Sequence, residues 1–263
     1  MAWFLSNLRY VAWTALAVAA LFLIYFAMGV AGYTFGDGAF WEAALRWSHV
    51  LVAIMWIGHL YYFNFTQIPN MPKIPDEQKP AVTKVIAPAA LYWFRWGAMF
   101  TLITGLGIFA VKGGGMSVDI YVGALLGLFM FINVWLIIWP NQKIVIASAT
   151  QVASGGAALP EAADALAKAG LASRTNFLFS VPMLFFMGAS THYPHPFHIF
   201  AFILAVVIIL ALEYNGAYPM IKNHSLVQKL PAAGIMTPYA SIKGVIHCGL
   251  GLTVVLFLIL DLL

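Results

Sequence analysis

Seven long apolar runs, each close to the length of a bilayer crossing, leave this chain few ways to fold. They lie at about Tyr10–Gly32, Trp41–Phe65, Ala89–Val111, Ile120–Trp139, Thr175–His192, Phe197–Tyr218 and Ser241–Leu262. A spanning helix needs about 20 mostly apolar residues. In lipid the backbone must satisfy its own hydrogen bonds, which makes helices the natural form. The runs are too long and too unbroken for barrel strands, which alternate over about 10 residues. Only 8% of the 263 residues are charged and 63% are hydrophobic, with mean hydropathy +0.90. A soluble domain carries roughly 25% charged residues and could not cover its surface from this composition. The expected fold is all-α: a polytopic transmembrane helix bundle of about seven spans, forming a single domain over 1–263.

Turn residues support the cuts. Gly36 and Gly38 break the first connection, Pro69, Pro72, Pro75 and Pro80 fill the second, and Gly113–Gly115 make the third. Pro140 is expected to end the fourth helix and Pro182 to kink the fifth. The long connection at about 141–173 reads as cytoplasmic and amphipathic, with a short surface helix at Leu159–Ala169 carrying Glu161, Asp164 and Lys168. With the N-terminus placed in the cytoplasm, every basic residue except Arg46 and Lys112 falls in or near a cytoplasmic segment. The positive-inside bias therefore favours this orientation, with the C-terminus at Asp261 facing the periplasm of a bacterial inner membrane. The scattered lysines and arginines form no patch for nucleic acid. Tyr10–Val30 exceeds the roughly 7–15 residues of a signal-peptide core, so it reads as a retained first helix. Cys248 is the single cysteine, which excludes an internal disulfide and a covalently attached c-type haem.

The histidines are the strongest chemical signal. His49 and His59 lie ten residues apart on the second run, about 15 Å along the axis and roughly 80° apart in azimuth, so both can face the bundle. His247 falls near the depth of His59, while His192, His195 and His198 cluster at the outer junction of the fifth and sixth runs. Imidazole is the usual axial ligand of b-type haem and a common transition-metal ligand. His59 with His247 is the first candidate pair, and His49 with His192 or His198 the second. A histidine in a span also serves simply to hydrogen-bond a neighbouring helix, and His195 and His224 read as interfacial.

Ionisable residues inside spans are functional candidates by default. Arg46, three residues before His49, is placed to meet a haem propionate or an anionic substrate, or to snorkel outward beside Glu42. Glu213 and Arg95 are candidates for proton or anion handling; the plainer alternatives are a local ion pair for the first and inward snorkelling for the second. Most tryptophans and tyrosines sit near helix ends, as an aromatic belt does. Trp56, between His49 and His59, is the exception and a candidate cofactor-lining residue.

Several motifs resemble one family. They are Arg46-Trp47-Ser48-His49 running on through Trp56-Ile57-Gly58-His59 to Tyr61-Tyr62-Phe63-Asn64, then Trp93-Phe94-Arg95-Trp96-Gly97 and Trp139-Pro140-Asn141-Gln142-Lys143. Ser173-Arg174-Thr175-Asn176, Ser180-Val181-Pro182-Met183 and Ser190-Thr191-His192 continue the pattern. Together they resemble the membrane domain of the PuuD-type membrane-bound urate oxidases. The resemblance implies urate oxidation in a bacterial membrane, with electrons passing to a cytochrome c domain. This sequence reaches Leu263 without a CxxCH, so the resemblance implies either a separate cytochrome c as acceptor or a shortened relative with another job. The alternative is a non-catalytic transmembrane subunit of a larger respiratory or photosynthetic electron-transport complex.

Overall fold

The computed structural model describes residues 6–221, 239 and 241–263, and among these it contains helices and no strand. His224, with Lys222, Lys229, Pro231 and Pro238, lies outside the described residues. The helices are α1 (Leu8–Tyr25), α2 (Gly38–Tyr61), α3 (Lys79–Lys112), α4 (Val118–Ile132), α5 (Trp139–Ala153), α6 (Ala162–His192), α7 (Ile199–Ile221) and α8 (Ile242–Leu262). Wider π-helical turns extend α1 over Phe26–Val30, extend α2 over Tyr62–Gln67, and join α4 to α5 over Asn133–Ile138. Six helical segments are long and apolar enough to cross a membrane: Arg9–Val30, Gly38–Lys73, Lys79–Lys112, Val118–Ala153, Ile199–Ala217 and Ile242–Leu262. The chain is a multi-pass membrane protein.

Two expectations about helix ends change. Pro140 does not end the fourth run; α5 carries it in its first turn, directly after the π-helical turn. A proline cannot donate to the carbonyl four residues back and clashes with it in a regular helix. The wider π turn alters that register locally, and the helix continues to Ala153. The stretch Leu159–Ala169 is likewise no separate surface helix. From Ala162 it forms the opening turns of α6, which runs unbroken for 31 residues because alanine and leucine supply no stop signal before the span begins. At the end of α3, Gly113 adopts φ +66°, the left-handed conformation that closes a helix at low cost for glycine.

Packing divides the chain into two compact units. One comprises Met1–Val50 with Thr104–Gly113, the other Leu51–Ile103 with Gly114–Leu263, and α2 and α3 run through both. In the first unit α1 buries none of its span. There Leu45 packs tightly on Gly107, where a methyl group would come within 3.0 Å of its side chain. In the second unit α6 is central, packed against α4, α5, α7 and α8. Its residues from Leu171 to Ser180 are almost all buried, including Ser173, Thr175, Asn176 and Ser180. A helix enclosed by other helices meets little lipid, so it tolerates these polar groups. That is why α6 falls outside the six most apolar segments despite its length.

Candidate functional site

His59 lines a cleft of about 670 Å³ between α2 and α3, with Met55, Gly58, Tyr62, Ala89 and Trp93 among the lining residues. Its volume is in the range of a small-molecule pocket, but it is widely open rather than enclosed, with Ile54, Val85 and Ile86 of its lining exposed. The His59 Nδ1 lies 2.7 Å from the carbonyl of Met55 one turn earlier and donates to it. That bond fixes the tautomer and leaves Nε2 as the free nitrogen, the arrangement metal-binding imidazoles use. His247 repeats the motif, its Nδ1 2.7 Å from the Lys243 carbonyl, but it is exposed on α8 and is not part of the His59 cleft. α8 packs against α6 and α7. One imidazole among apolar and aromatic side chains is a lining against which a flat, largely apolar group would rest, with His59 as the residue that would hold it; His247 does not line this cleft.

The other expected residues take different places. Trp56 is almost fully buried, and its indole N–H has no hydrogen-bond partner among the described residues. Its backbone packs on Gly97, where a methyl group would sit 3.0 Å from the Trp56 nitrogen. His49 belongs to the first unit, its Nδ1 3.0 Å from the Thr104 hydroxyl. His192 and His198 belong to the second unit and are exposed. Arg46 is half-exposed and pairs with Glu42 at 2.5 Å, and Lys112 approaches the same carboxylate oxygen at 3.3 Å. Arg95 places its guanidinium 3.8 Å from the centre of the Trp139 ring, a cation–π contact. Among the described residues no three His, Cys, Asp or Glu side chains are grouped so as to hold a metal ion.

A ladder of polar contacts climbs α6. Asn64, in the π turn after α2, donates through Nδ2 to the Ser173 hydroxyl at 3.0 Å, and Tyr61 meets the Ser180 hydroxyl at 3.2 Å. Asn133 opens the π turn after α4. Its Nδ2 donates to Asn176 Oδ1 and to Glu213 Oε2, both at 3.0 Å. Asn176 in turn donates to the Met130 carbonyl at 2.9 Å. Near the foot of α6, Arg174 donates to the carbonyl of Tyr239 at 2.6 Å, and burial pushes the Tyr239 phenol up to about 12. Sequence reasoning singled out Glu213 by its charge, but passed over the uncharged asparagines that meet it.

A second feature was missed outright. Asp119, on the first turn of α4, is fully buried, and the backbone N–H and Nδ1 of His195 approach its two oxygens at 2.7 and 2.8 Å. On its other side the His195 Nε2 lies 3.8 Å from a carboxylate oxygen of Asp261, which is half-exposed near the end of α8. The ring also stands edge-on to Phe257, with centroids 5.1 Å apart. His195 thus ties the α6–α7 turn to the first turn of α4 and the last turn of α8.

Comparison with known families gives residues 114–242 a match to the family described as urate oxidase N-terminal. Over this segment, just under half of the chain, the sequence is similar to that family. Neither a curated protein nor a solved structure matches the chain. The matched urate oxidase N-terminal segment holds Asp119, Asn133, Asn176, His195 and Glu213. The Asn133–Asn176–Glu213 contacts and the Asp119–His195 contact therefore fall inside the matched region, while His49, Trp56, His59, Tyr61, Asn64 and Arg95 precede it and His247, Phe257 and Asp261 follow it.

Proposed function

We propose that this chain is the membrane-embedded redox portion of a urate oxidase-type system. It crosses the bacterial inner membrane seven times with its N-terminus in the cytoplasm, and holds b-type haem or a transition metal at His59. In this reading a small anion such as urate supplies electrons, which leave toward a cytochrome c on the outer face. Bound at His59, a haem would supply one-electron chemistry. The chain's own part is to fix the imidazole through Met55, to keep the pocket dry with Tyr62, Ala89 and Trp93, and to present Nε2 alone.

The observation that carries the reading is the His59 imidazole, oriented by a main-chain carbonyl on the wall of a cofactor-sized apolar cleft. The urate oxidase N-terminal match over residues 114–242 supports the family side of it. The test is an absorption spectrum with metal analysis on protein purified in mild detergent. A Soret band that disappears in His59→Ala and persists in His247→Ala is expected. A wild-type protein with neither a Soret band nor stoichiometric metal would refute the redox reading and favour the non-catalytic subunit.

A further inference from the structure

We infer that Glu213 is a proton-binding site inside the membrane, a carboxyl group that holds its proton within the apolar layer and exchanges it there. The inference starts from depth. Asp119 bonded to His195 shows that the start of α4, the end of α6 and the start of α7 share one end of the second unit. From that end Asn133 lies 15 residues down from Val118, Asn176 lies 16 from His192, and Glu213 lies 14 from Ile199. At about 1.5 Å per residue these are all roughly 21–24 Å deep, in a hydrocarbon layer about 30 Å thick. The three side chains meet at one level because the helices carry them there.

The partners of Glu213 at that level are neutral. Asn133 and Asn176 are almost fully buried, and the Asn133 Nδ2 divides its two hydrogens between Asn176 and Glu213. No Lys, Arg or His of the described residues forms an ion pair with Glu213. The Tyr239 phenol is near enough to interact electrostatically with Glu213, and a phenol is neutral in its ordinary state. Arg174 of α6 commits a nitrogen to the Tyr239 carbonyl. One amide donor does not compensate a carboxylate withdrawn from water, whereas a protonated carboxyl accepts the same Asn133 hydrogen bond without that penalty. The placement of Asn133 on a π-helical turn adds weight, since such turns recur at functional sites.

The site is tested with dicyclohexylcarbodiimide, an apolar reagent for protonated carboxyl groups, on the full chain in membranes near neutral pH. The carboxyl proton passes to a carbodiimide nitrogen and the carboxylate oxygen bonds to the central carbon, so acid and reagent combine with nothing lost. Peptide mass mapping is expected to find the adduct on Glu213 and not on the exposed Asp76 or Glu77, with Glu213→Gln losing it. Infrared difference spectra between wild type and the Gln variant supply a second readout, a carboxylic C=O band present only in wild type. An unmodified Glu213 in native protein, or identical carboxylic bands in both proteins, would overturn the inference. Mapping on wild type needs no variant, so a Gln variant that fails to fold leaves the test intact. The result is independent of whether His59 binds haem.

Discussion

Replacing His195 with alanine removes one partner of a fully buried carboxylate, and the structure sets the size of the effect. The lost Nδ1 bond to Asp119, at 2.8 Å, is charge-assisted and worth about 1.5–3 kcal/mol. The edge-on contact with Phe257 adds about 0.5–1.5 kcal/mol. The backbone N–H of residue 195 still donates to Asp119, and the N-terminus of α4 still favours its charge. These retained partners hold the total to about 2–4 kcal/mol, at or just below the roughly 3–5 kcal/mol typical of breaking a buried pair. At about 2–4 °C per kcal/mol for a chain of this size, the melting temperature should fall by roughly 4–16 °C. Asp119→Asn keeps the shape and removes the charge, so it should cost less than His195→Ala. Intrinsic-fluorescence melting in detergent measures both. A His195→Ala protein that melts with wild type, or an Asp119→Asn protein clearly less stable than His195→Ala, would refute the buried-tie reading.

Two close helix contacts give further predictions. A methyl group at Gly216 would collide with the Thr175 side chain, so Gly216→Ala should destabilise by about 1–3 kcal/mol or more. Thr175→Ala removes the two nearest atoms but leaves its Cβ 2.9 Å from the added methyl, so the double variant should recover part of the loss in a double-mutant cycle read by melting; simple additivity would contradict the contact. Gly97→Ala presses on the Trp56 backbone rather than on a flexible side chain, so it should cost a similar amount, and a large apolar residue at 97 should abolish folded protein in size-exclusion profiles.

What the sequence disclosed depended on charge and on hydropathy. Apolar runs mark helices, and an ionisable residue within a run marks itself, which is why Glu213 was legible; it is partly buried and bonded to the buried Asn133. Asn64, Asn133 and Asn176 carry no charge, and amides inside apolar runs look unremarkable until a partner from another helix is known. Asp119 lies near the end of a run, where a carboxylate reads as solvated; its partner is 76 residues away, a contact no local pattern encodes. Pro140 misled because proline usually stops a helix, and the π turn that accommodates it leaves no sequence signature of its own. His59 and His247 matched in depth along their helices, yet only the packing of α8 on α6 and α7 shows that His247 is absent from the His59 cleft.

The number of crossings follows from how α4–α5 and α6 are paired, and it yields the prediction that tests the whole topology. The helix Val118–Ala153 has 36 residues and α6 has 31, about 54 and 46 Å at 1.5 Å per residue. They are joined by the short turn at 154–161, and the end of α6 returns beside the start of α4, where His195 meets Asp119. Two packed helices of near-equal length that start and finish together cross the same slab. If Val118–Ala153 spans the membrane, so does α6, even though its buried serines, threonine and asparagine lower its hydropathy. If the six apolar segments also cross, adding α6 makes seven crossings among the described residues and would put the two ends of the chain on opposite sides. Paired reporters, one active only in the cytoplasm and one only in the periplasm, should report the N-terminus inside and a fusion after Leu263 outside. Both ends reporting from the same side would mean that α6 does not cross, and the pairing of α4 with α6 would have to be abandoned with it.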